Sequence, residues 1–322
     1  MDKILTLLDG SAYSESVCHH TAWIAGKLGA GVEAMHVLGR REGAAATDLS
    51  GALRLGARSA LLEELSAMDE QRAKLAQARG HAILEDAQKI LEADGVTEVT
   101  PRLRKGDLLE AVQTLEGSIR AITIGKRGEG ADFASDHLGS NLERIVRASR
   151  VPVFVASRSF SPISKVLVAY DGSDSARVAI DRMSASPVFK DLEICVLSVS
   201  QDAARAEATA KEAVTKLGEA GLTASPRTAS GEPEEVLEAV VADEGFDLLV
   251  MGAYGHGRVR NLIIGSTTTA MISATPAMTT TTTTVGMMVS TTAYSTSTSG
   301  RWTPMGMEMA TSVTWTTTKM AC

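Results

Sequence analysis

Several kinds of protein are excluded by what this 322-residue chain lacks. Its three cysteines, Cys18, Cys195 and Cys322, are far apart, so neither a disulfide framework nor a Cys-x-x-Cys zinc site is visible, and we expect a reducing compartment, the cytoplasm. The net charge of -7 argues against a nucleic-acid-binding protein, which usually carries a basic face. No run of 18 or more apolar residues appears, and the start has no basic region with a cleavage site. We therefore expect no membrane span and no signal peptide.

What the chain does contain is an alternation of short apolar runs and amphipathic segments. Strands are predicted at 4–8, 32–38, 96–103, 121–124 and 151–156, and the residues between them have helical spacing. Residues 57–93 form one long helix or two stacked helices in this prediction. Strands that alternate with helices indicate an α/β fold, with a mostly parallel sheet covered on both faces.

The same pattern then begins again, so the chain is predicted to hold two copies of one domain. The turn Asp9-Gly10-Ser11 recurs as Asp171-Gly172-Ser173, at an offset of 162 (171 − 9). The pair Gly125 and Gly128 recurs as Gly252 and Gly255, at an offset of 127 (252 − 125). A repeat of this length indicates a duplicated domain rather than a solenoid. We place the domains at 1–157 and 165–276, joined by a Ser/Pro-rich linker.

The most informative stretch follows the apolar run 248–251. That run ends in Gly252, and Gly255, nine residues and then Gly265-Ser266-Thr267 follow. Glycine allows a sharp turn and the close approach of a ligand to the backbone, and a helix that starts at Ser266 would offer free N–H groups. This order predicts a phosphate-binding loop. An ordinary strand-to-loop turn with a helix N-cap explains the same residues. The spacing fits neither the Rossmann fingerprint nor a P-loop.

An aspartate ends the first predicted strand of each copy. Ligands of open parallel sheets bind beyond the carboxyl ends of the strands. If the first and fourth strands are neighbours, Asp9 faces Gly125 and Asp171 faces Gly252 across one crevice, where a carboxylate could accept hydrogen bonds from a ribose or a base. The alternative is that both aspartates are helix N-caps or Asx-turn residues.

The composition changes after Pro276. Residues 277–322 are rich in threonine and methionine, with six consecutive threonines at 279–284. Such a segment has too few large apolar side chains for a core of its own. We interpret it as a low-complexity tail, which a shifted reading frame, a decayed end or a functional threonine-rich segment would each explain. The strand expected at 277–280 would bury less than its counterpart at 153–156.

With these residues in view, the chain resembles the universal stress protein family in its tandem two-domain form, from residue 1 to about 276. The motif that carries the resemblance is G-x2-G-x9-G-[ST], which the second copy fits, while the loop of the first copy is one residue longer. The resemblance implies two five-stranded parallel sheets of order 3-2-1-4-5, the fold of the adenine nucleotide α hydrolase-like proteins, with an atypical last strand in the second domain.

The resemblance also implies a ligand, which is ATP or a related adenine nucleotide, with or without Mg²⁺. In the second copy the implied binding residues are Asp171, Val199, Gly252, Gly255, Gly265, Ser266 and Thr267. In the first copy they are Asp9, Val37, Gly125, Gly128, Gly139, Ser140 and Asn141. The valines would pack on adenine, and the glycines and serines would hold the phosphates.

The expected function is that of a stress-response sensor or regulator which binds nucleotide and is not an enzyme, because no catalytic set of residues can be assigned. The resemblance also implies that the two domains pair with each other through their fifth strands. A homodimer is a further expectation, and neither nucleic acid nor membrane is an expected partner. The alternative is an interaction module whose glycine loops no longer bind nucleotide.

Overall fold

In the computed structural model the described residues are 3–39, 55–126, 140–252 and 286–290. Within them, strands and helices alternate as the sequence predicts. The strands are β1 (Lys3–Leu8), β2 (Gly31–Leu38), β3 (Val99–Lys105), β4 (Ile119–Gly125), β5 (Val153–Ala156), β6 (Lys165–Ala169), β7 (Glu193–Val199), β8 (Ala224–Ala229), β9 (Leu248–Gly252) and β10 (Gly286–Ser290). The α-helices are α1 (Ser14–Leu28), α2 (Leu55–Ala93), α3 (Leu108–Gln113), α4 (Ser140–Ala148), α5 (Asp174–Ser184), α6 (Ala203–Glu219) and α7 (Pro233–Glu244).

The strands form one sheet in the order β3-β2-β1-β4-β5-β10-β9-β6-β7-β8. The first half of the chain, β1 to β5, has the predicted order 3-2-1-4-5, and all its strand pairs are parallel. In the second half, from β6 onward, β8-β7-β6-β9 repeats that order with parallel pairs. The prediction of an open parallel α/β fold is therefore confirmed.

The strand β10 comes from the threonine- and methionine-rich tail and joins the two halves. It lies parallel to β9, with Met287 opposite Leu249, and antiparallel to β5, with Met288 opposite Phe154. Met288 is buried. The strand predicted at 277–280 lies outside the described residues, so the fifth position of the second half is occupied by a segment farther along the tail.

Side chains of a strand point alternately to opposite sides of the sheet, so buried strands carry apolar residues on both faces. Helices cover both faces. On one face the strands pack against α1, α2, α5 and α6, around residues such as Ile4, Leu84 and Ile180. On the other face they pack against α3, α4 and α7, around residues such as Leu5, Ile145 and Leu237. A parallel sheet of this kind leaves its carboxyl edge as the place for a ligand.

The long helix α2 is a single helix of 39 residues, which settles the alternative of two stacked helices. Its C-terminal part buries Leu84, Ala87 and Leu91 against the sheet. None of the side chains of residues 63–79 is buried. At about 1.5 Å per residue, α2 is about 58 Å long, far longer than the strands it covers.

Candidate functional site

The carboxyl ends of the first and fourth strands of each half lie side by side. Leu7 of β1 is opposite Ile124 of β4, so Asp9 and Gly125 lie at one edge. Ala169 of β6 is opposite Met251 of β9, so Asp171 and Gly252 lie at the corresponding edge of the second half. The neighbouring strands on which the predicted crevice depends are therefore present twice.

Each of the two aspartates closes an Asx turn at the start of the following helix. Asp9 Oδ1 accepts the N–H of Ser11 at 3.0 Å, and Asp171 Oδ1 accepts the N–H of Ser173 at 2.9 Å. These turns match the structural alternative weighed for both residues. Each turn occupies one of the roughly four acceptor positions that an ionised carboxylate offers. Asp9 is half-buried and Asp171 is exposed to solvent.

The two valines implied as adenine contacts lie at the carboxyl end of the second strand of their halves. Leu8 is opposite His36, so Val37 lies one step farther toward the edge occupied by Asp9. Val199 is the last residue of β7 and lies opposite Ala229 of β8. Both valines are half-buried. Each half thus has an apolar side chain and a carboxylate at adjacent strand ends.

Gly252 is required by packing inside the second half. A Cβ at this position would lie 2.5 Å from Oγ of Ser175 and 2.8 Å from the backbone nitrogen of Ala176. The end of β9 therefore contacts the first turn of α5 so closely that no other residue fits without movement of the backbone. This packing demand explains the glycine without reference to a ligand.

The start of α4 is anchored at the same edge in the first half. Ser140 is its first residue, and Asn141 follows on an exposed turn. Arg144 of α4 donates two hydrogen bonds to the carboxylate of Asp107, at 3.0 and 2.8 Å. Asp107 also caps α3 by accepting the N–H groups of Leu109 and Glu110. Arg144, with these N–H groups, holds the pKa of Asp107 below its usual value. Two helix N-termini, each with partial positive charge, are held together here.

The remaining predicted site residues cannot be placed. They are Gly128, Gly139, Gly255, Gly265, Ser266 and Thr267, and all lie outside the described residues. The described part of the chain therefore contains the strand ends, the acids and the valines of each crevice, together with the start of one loop-following helix.

Sequence reasoning missed a polar network beside Asp171. Tyr170 donates its hydroxyl to Glu212 of α6 at 3.1 Å, and Arg177 of α5 donates to the same carboxylate at 3.3 Å. Burial of Tyr170, chiefly, raises the pKa of its phenol. The signal was present in the sequence, since Tyr170 stands at the position of Leu8 in the repeat (170 − 162), where a core residue is expected.

In the first half, α2 closes over the region beside Asp9. A Cβ at Gly10 would lie 2.6 Å from Cδ1 of Ile83, whereas a Cβ at Gly172 would meet Cγ2 of Thr209 at an ordinary 3.5 Å. His36 is buried and shares a 2.7 Å hydrogen bond between Nδ1 and the carbonyl oxygen of Leu8. The first crevice is thus more tightly covered by its helix than the second one.

Two negative findings apply to the described residues. No three or more His, Cys, Asp or Glu side chains among them are placed to hold a metal ion. None of their helices combines the length and the apolar character that a membrane span requires.

Comparisons with known proteins agree with this duplicated architecture. The sequence profile of the Universal stress protein family matches residues 1–157 and again residues 162–281. The chain belongs to the universal stress protein family. A curated relative, Universal stress protein Slr1230 of Synechocystis sp., is 34% identical over 279 residues, which cover 85% of this chain and 97% of that protein. Family membership thus extends over both halves.

Solved structures show the same fold. A universal stress protein from Archaeoglobus fulgidus DSM 4304 has a TM-score of 0.66 and 22% identity, and the match covers 90% of this chain and 98% of that one. Protein PA1789 of Pseudomonas aeruginosa PAO1 has a TM-score of 0.55 and 14% identity, with 91% and 93% covered. At these identities the likeness is one of fold.

Proposed function

We propose that this universal stress protein is a cytoplasmic regulator that binds ATP or a related adenine nucleotide at the carboxyl edge of its sheet. In this proposal the protein binds the nucleotide and does not catalyse its conversion. The observation that carries the proposal is the same in both halves: an aspartate turn and a glycine end neighbouring parallel strands. In the second half the full G-x2-G-x9-G-S spacing begins at that glycine. Backbone N–H groups of such a loop suit a polyphosphate, and the aspartate suits a ribose or base.

The second half is the better binding site of the two. Its loop has the family's motif spacing, and a Cβ placed at Gly172 would lie 3.5 Å from Cγ2 of Thr209, an ordinary contact. In the first half the loop is one residue longer, and Ile83 packs directly on Gly10. These two differences favour an interaction module without nucleotide as the role of the first half. We expect one tight site per chain, in the second half.

Titration calorimetry of the full chain with ATP and Mg²⁺ tests the proposal. Asp171→Asn keeps the acceptor of the Asx turn but removes the charge, and it should weaken binding about tenfold, since a hydrogen bond to a charged group contributes roughly 1.5–3 kcal/mol. Asp174→Asn, the same charge change in the exposed first turn of α5, is the matched control and should bind like the unchanged protein.

Absence of heat at millimolar nucleotide, together with no small molecule released from the denatured protein, would contradict the proposal. Gly252→Val is unsuitable as a site variant, because its side chain would overlap Ser175 and Ala176 whether or not nucleotide binds. A stoichiometry of two, with equal affinities, would contradict the assignment of different roles to the two halves.

A further inference from the structure

The helices α2 and α6 hold equivalent positions in the two halves, as their C-terminal ends show. The N–H of Val96 donates to the carbonyl oxygen of Leu91 at 3.0 Å, and the N–H of Leu222 donates to the carbonyl oxygen of Leu217 at 3.0 Å. Donor and acceptor both differ by 126 (222 − 96 and 217 − 91). Each residue of α6 therefore corresponds to the residue of α2 that stands 126 positions earlier.

This correspondence continues up to the aspartate–glycine turns at the carboxyl edge. Thr209 of α6 corresponds to Ile83 of α2 (83 + 126). Cδ1 of Ile83 is the atom nearest to a Cβ placed at Gly10, and Cγ2 of Thr209 is the atom nearest to a Cβ placed at Gly172. The two glycines are themselves equivalent in the repeat. The same point of each helix thus faces the turn of its own half.

One helical turn before that contact, both helices carry an arginine, Arg79 in α2 and Arg205 in α6 (79 + 126). Residues four positions apart lie on one face of a helix, and their side chains lean toward its N-terminus. Helix α6 follows the carboxyl end of β7, so its first turn lies at the carboxyl edge. In the first half, Nη2 of Arg79 lies 3.8 Å from a Cβ placed at Gly10. An arginine at this position can therefore reach the turn.

The surroundings of Arg205 leave its guanidinium available for a ligand. The side chain is exposed, and only the backbone N–H takes part in the helix cap, by donating to Asp202 at 3.1 Å. Two carboxylates of the same helix have other partners, since Glu207 accepts a hydrogen bond from Lys211 at 2.6 Å and Glu212 belongs to the polar network beside Asp171. Within the described parts of the chain, no carboxylate pairs with this guanidinium.

The two halves differ in the space between arginine and turn. In the first half the branched side chain of Ile83 fills it, with Cδ1 2.6 Å from a Cβ placed at Gly10. In the second half the shorter Thr209 stands there, at an ordinary 3.5 Å from a Cβ placed at Gly172. A ligand in the second crevice would therefore meet the guanidinium, whereas the first crevice is closed at the same point.

We propose that Arg205 is a further binding residue of the nucleotide site in the second half, and that its guanidinium donates hydrogen bonds to the phosphate groups. The inference rests on the nucleotide-binding function proposed above and adds a charged group to it. A guanidinium suits this role, because its planar set of N–H donors matches two phosphate oxygens at once and its charge persists at every physiological pH.

Titration calorimetry of the full chain with ATP and Mg²⁺, in low and in high salt, tests this contact. Arg205→Gln should lower the ATP affinity about tenfold, because charge-assisted hydrogen bonds are lost. It should also make the affinity less dependent on salt, because one charge fewer faces the phosphates. Arg205→Lys keeps the charge without the planar donors, so it should lose less affinity. Lys211→Gln removes the same charge from an exposed position about 120° farther round α6, and it should bind ATP like the unchanged protein.

The outcomes distinguish this inference from the function on which it rests. An unchanged protein that does not bind ATP would contradict nucleotide binding itself, and the role of Arg205 with it. ATP binding that is equally strong in Arg205→Gln would overturn the role of Arg205 alone. A loss that Lys211→Gln shares, or a loss that leaves the salt dependence as it was, would overturn it as well. The cap at Asp202 uses the backbone of residue 205, so all three variants should unfold at the temperature of the unchanged protein.

Discussion

Beneath the first helix of each half, three equivalent positions carry different side chains. In the first half they are Thr6, Thr21 and Thr123; in the second half, at offsets of 162, 162 and 127, they are Val168, Met183 and Val250. The three hydroxyls are buried and bond to one another, with 3.0 Å from Thr6 to Thr21 and 2.6 Å from Thr21 to Thr123. The same strands and helix therefore pack through a hydrogen-bonded cluster in one half and through apolar contact alone in the other.

The surfaces of the first helices differ in charge as well. His19 of α1 pairs with Asp94 at 2.5 Å, whereas Asp181 at the equivalent position of α5 (19 + 162) pairs with Lys216. The next position is His20 in the first half and Arg182 in the second. His20 is buried, with Nδ1 2.8 Å from the carbonyl oxygen of Ser16 and its ring edge-on to Phe160 of the linker. Duplication thus preserved the fold while the titratable groups diverged.

A third difference lies at the candidate site. The Arg144–Asp107 clamp anchors α4 in the first half. The positions that correspond in the repeat are Ala270 (144 + 126) and Glu232 (107 + 125), so no arginine stands at the clamp position of the second half. Together these differences show that the same topology is held by different contacts in the two halves.

The largest expected effect is the pH dependence that His20 adds to the stability of the first half. Burial of His20 lowers its pKa from 6.5 to about 4. As the pH falls, the unfolded chain therefore takes up the proton before the folded chain does. The free energy of unfolding is unaffected by His20 above pH 6.5 and decreases as the pH falls toward 4. The expected loss between pH 7 and 4 is about 3 kcal/mol. Hydrogen exchange, corrected for intrinsic rates, should show it in β1 and β4 and not in β6 and β9.

His20→Gln removes the titrating group, so it should flatten this pH dependence even where it lowers stability at neutral pH. His19→Gln, on the half-buried neighbour, should keep the dependence. Equal pH sensitivity of β1 and β6 in the unchanged protein would show that the divergence at His20 has no energetic consequence.

An intermediate effect is expected at Gly252. Alanine there places a methyl group 2.5 Å from Ser175 Oγ and 2.8 Å from a backbone nitrogen, which cannot yield easily. We expect Gly252→Ala to destabilise the second half by about 2 kcal/mol, the usual cost of overpacking. Gly218→Ala in α6, where a Cβ would meet nothing within 4 Å, is the matched control and should be neutral or stabilising. Urea unfolding, followed by hydrogen exchange of the β9 amides, measures the stability of both variants. Equal stabilities of Gly252→Ala and Gly218→Ala would disprove the packing role.

The smallest effect concerns the threonine cluster. Thr123→Val removes one hydroxyl and leaves Thr6 and Thr21 with an incomplete set of partners, so it should cost the first half about 1–2 kcal/mol. Replacement of all three threonines by valine removes every partner at once with little change of shape, and most of the lost stability should return. Hydrogen exchange of the β1 amides measures the stability of both variants. If the triple variant loses more free energy of unfolding than the three single variants lose together, the cluster is a net stabiliser.

Much of the fold was predictable because its causes are local. Apolar runs gave β1, β2 and β4 to within two residues, and the spacing of residues 57–93 gave α2. Gly29 ends α1 in the left-handed conformation, with φ 60° and its N–H bonded to Ala25, as a glycine stop predicts. The pairing of Asp9 with Gly125 followed from the strand order that the resemblance implied.

Other features depend on contacts between distant segments and leave no local pattern. That Gly252 packs on α5, that Ile83 covers Gly10 and that Tyr170 bonds to Glu212 each required the three-dimensional arrangement. The position of β10 is the clearest case. A threonine-rich tail has weak strand signals throughout, and which five residues fill the gap between β5 and β9 is decided by the free edges of those two strands.

By itself, then, the amino-acid order determined the duplicated α/β units and the glycine and aspartate turns, because these are set by neighbours a few residues apart. The tertiary structure alone decided how tightly each crevice is covered, which glycines are packing requirements and how one tail strand joins two sheets into one. Those outcomes depend on the shapes of surfaces that meet only after folding.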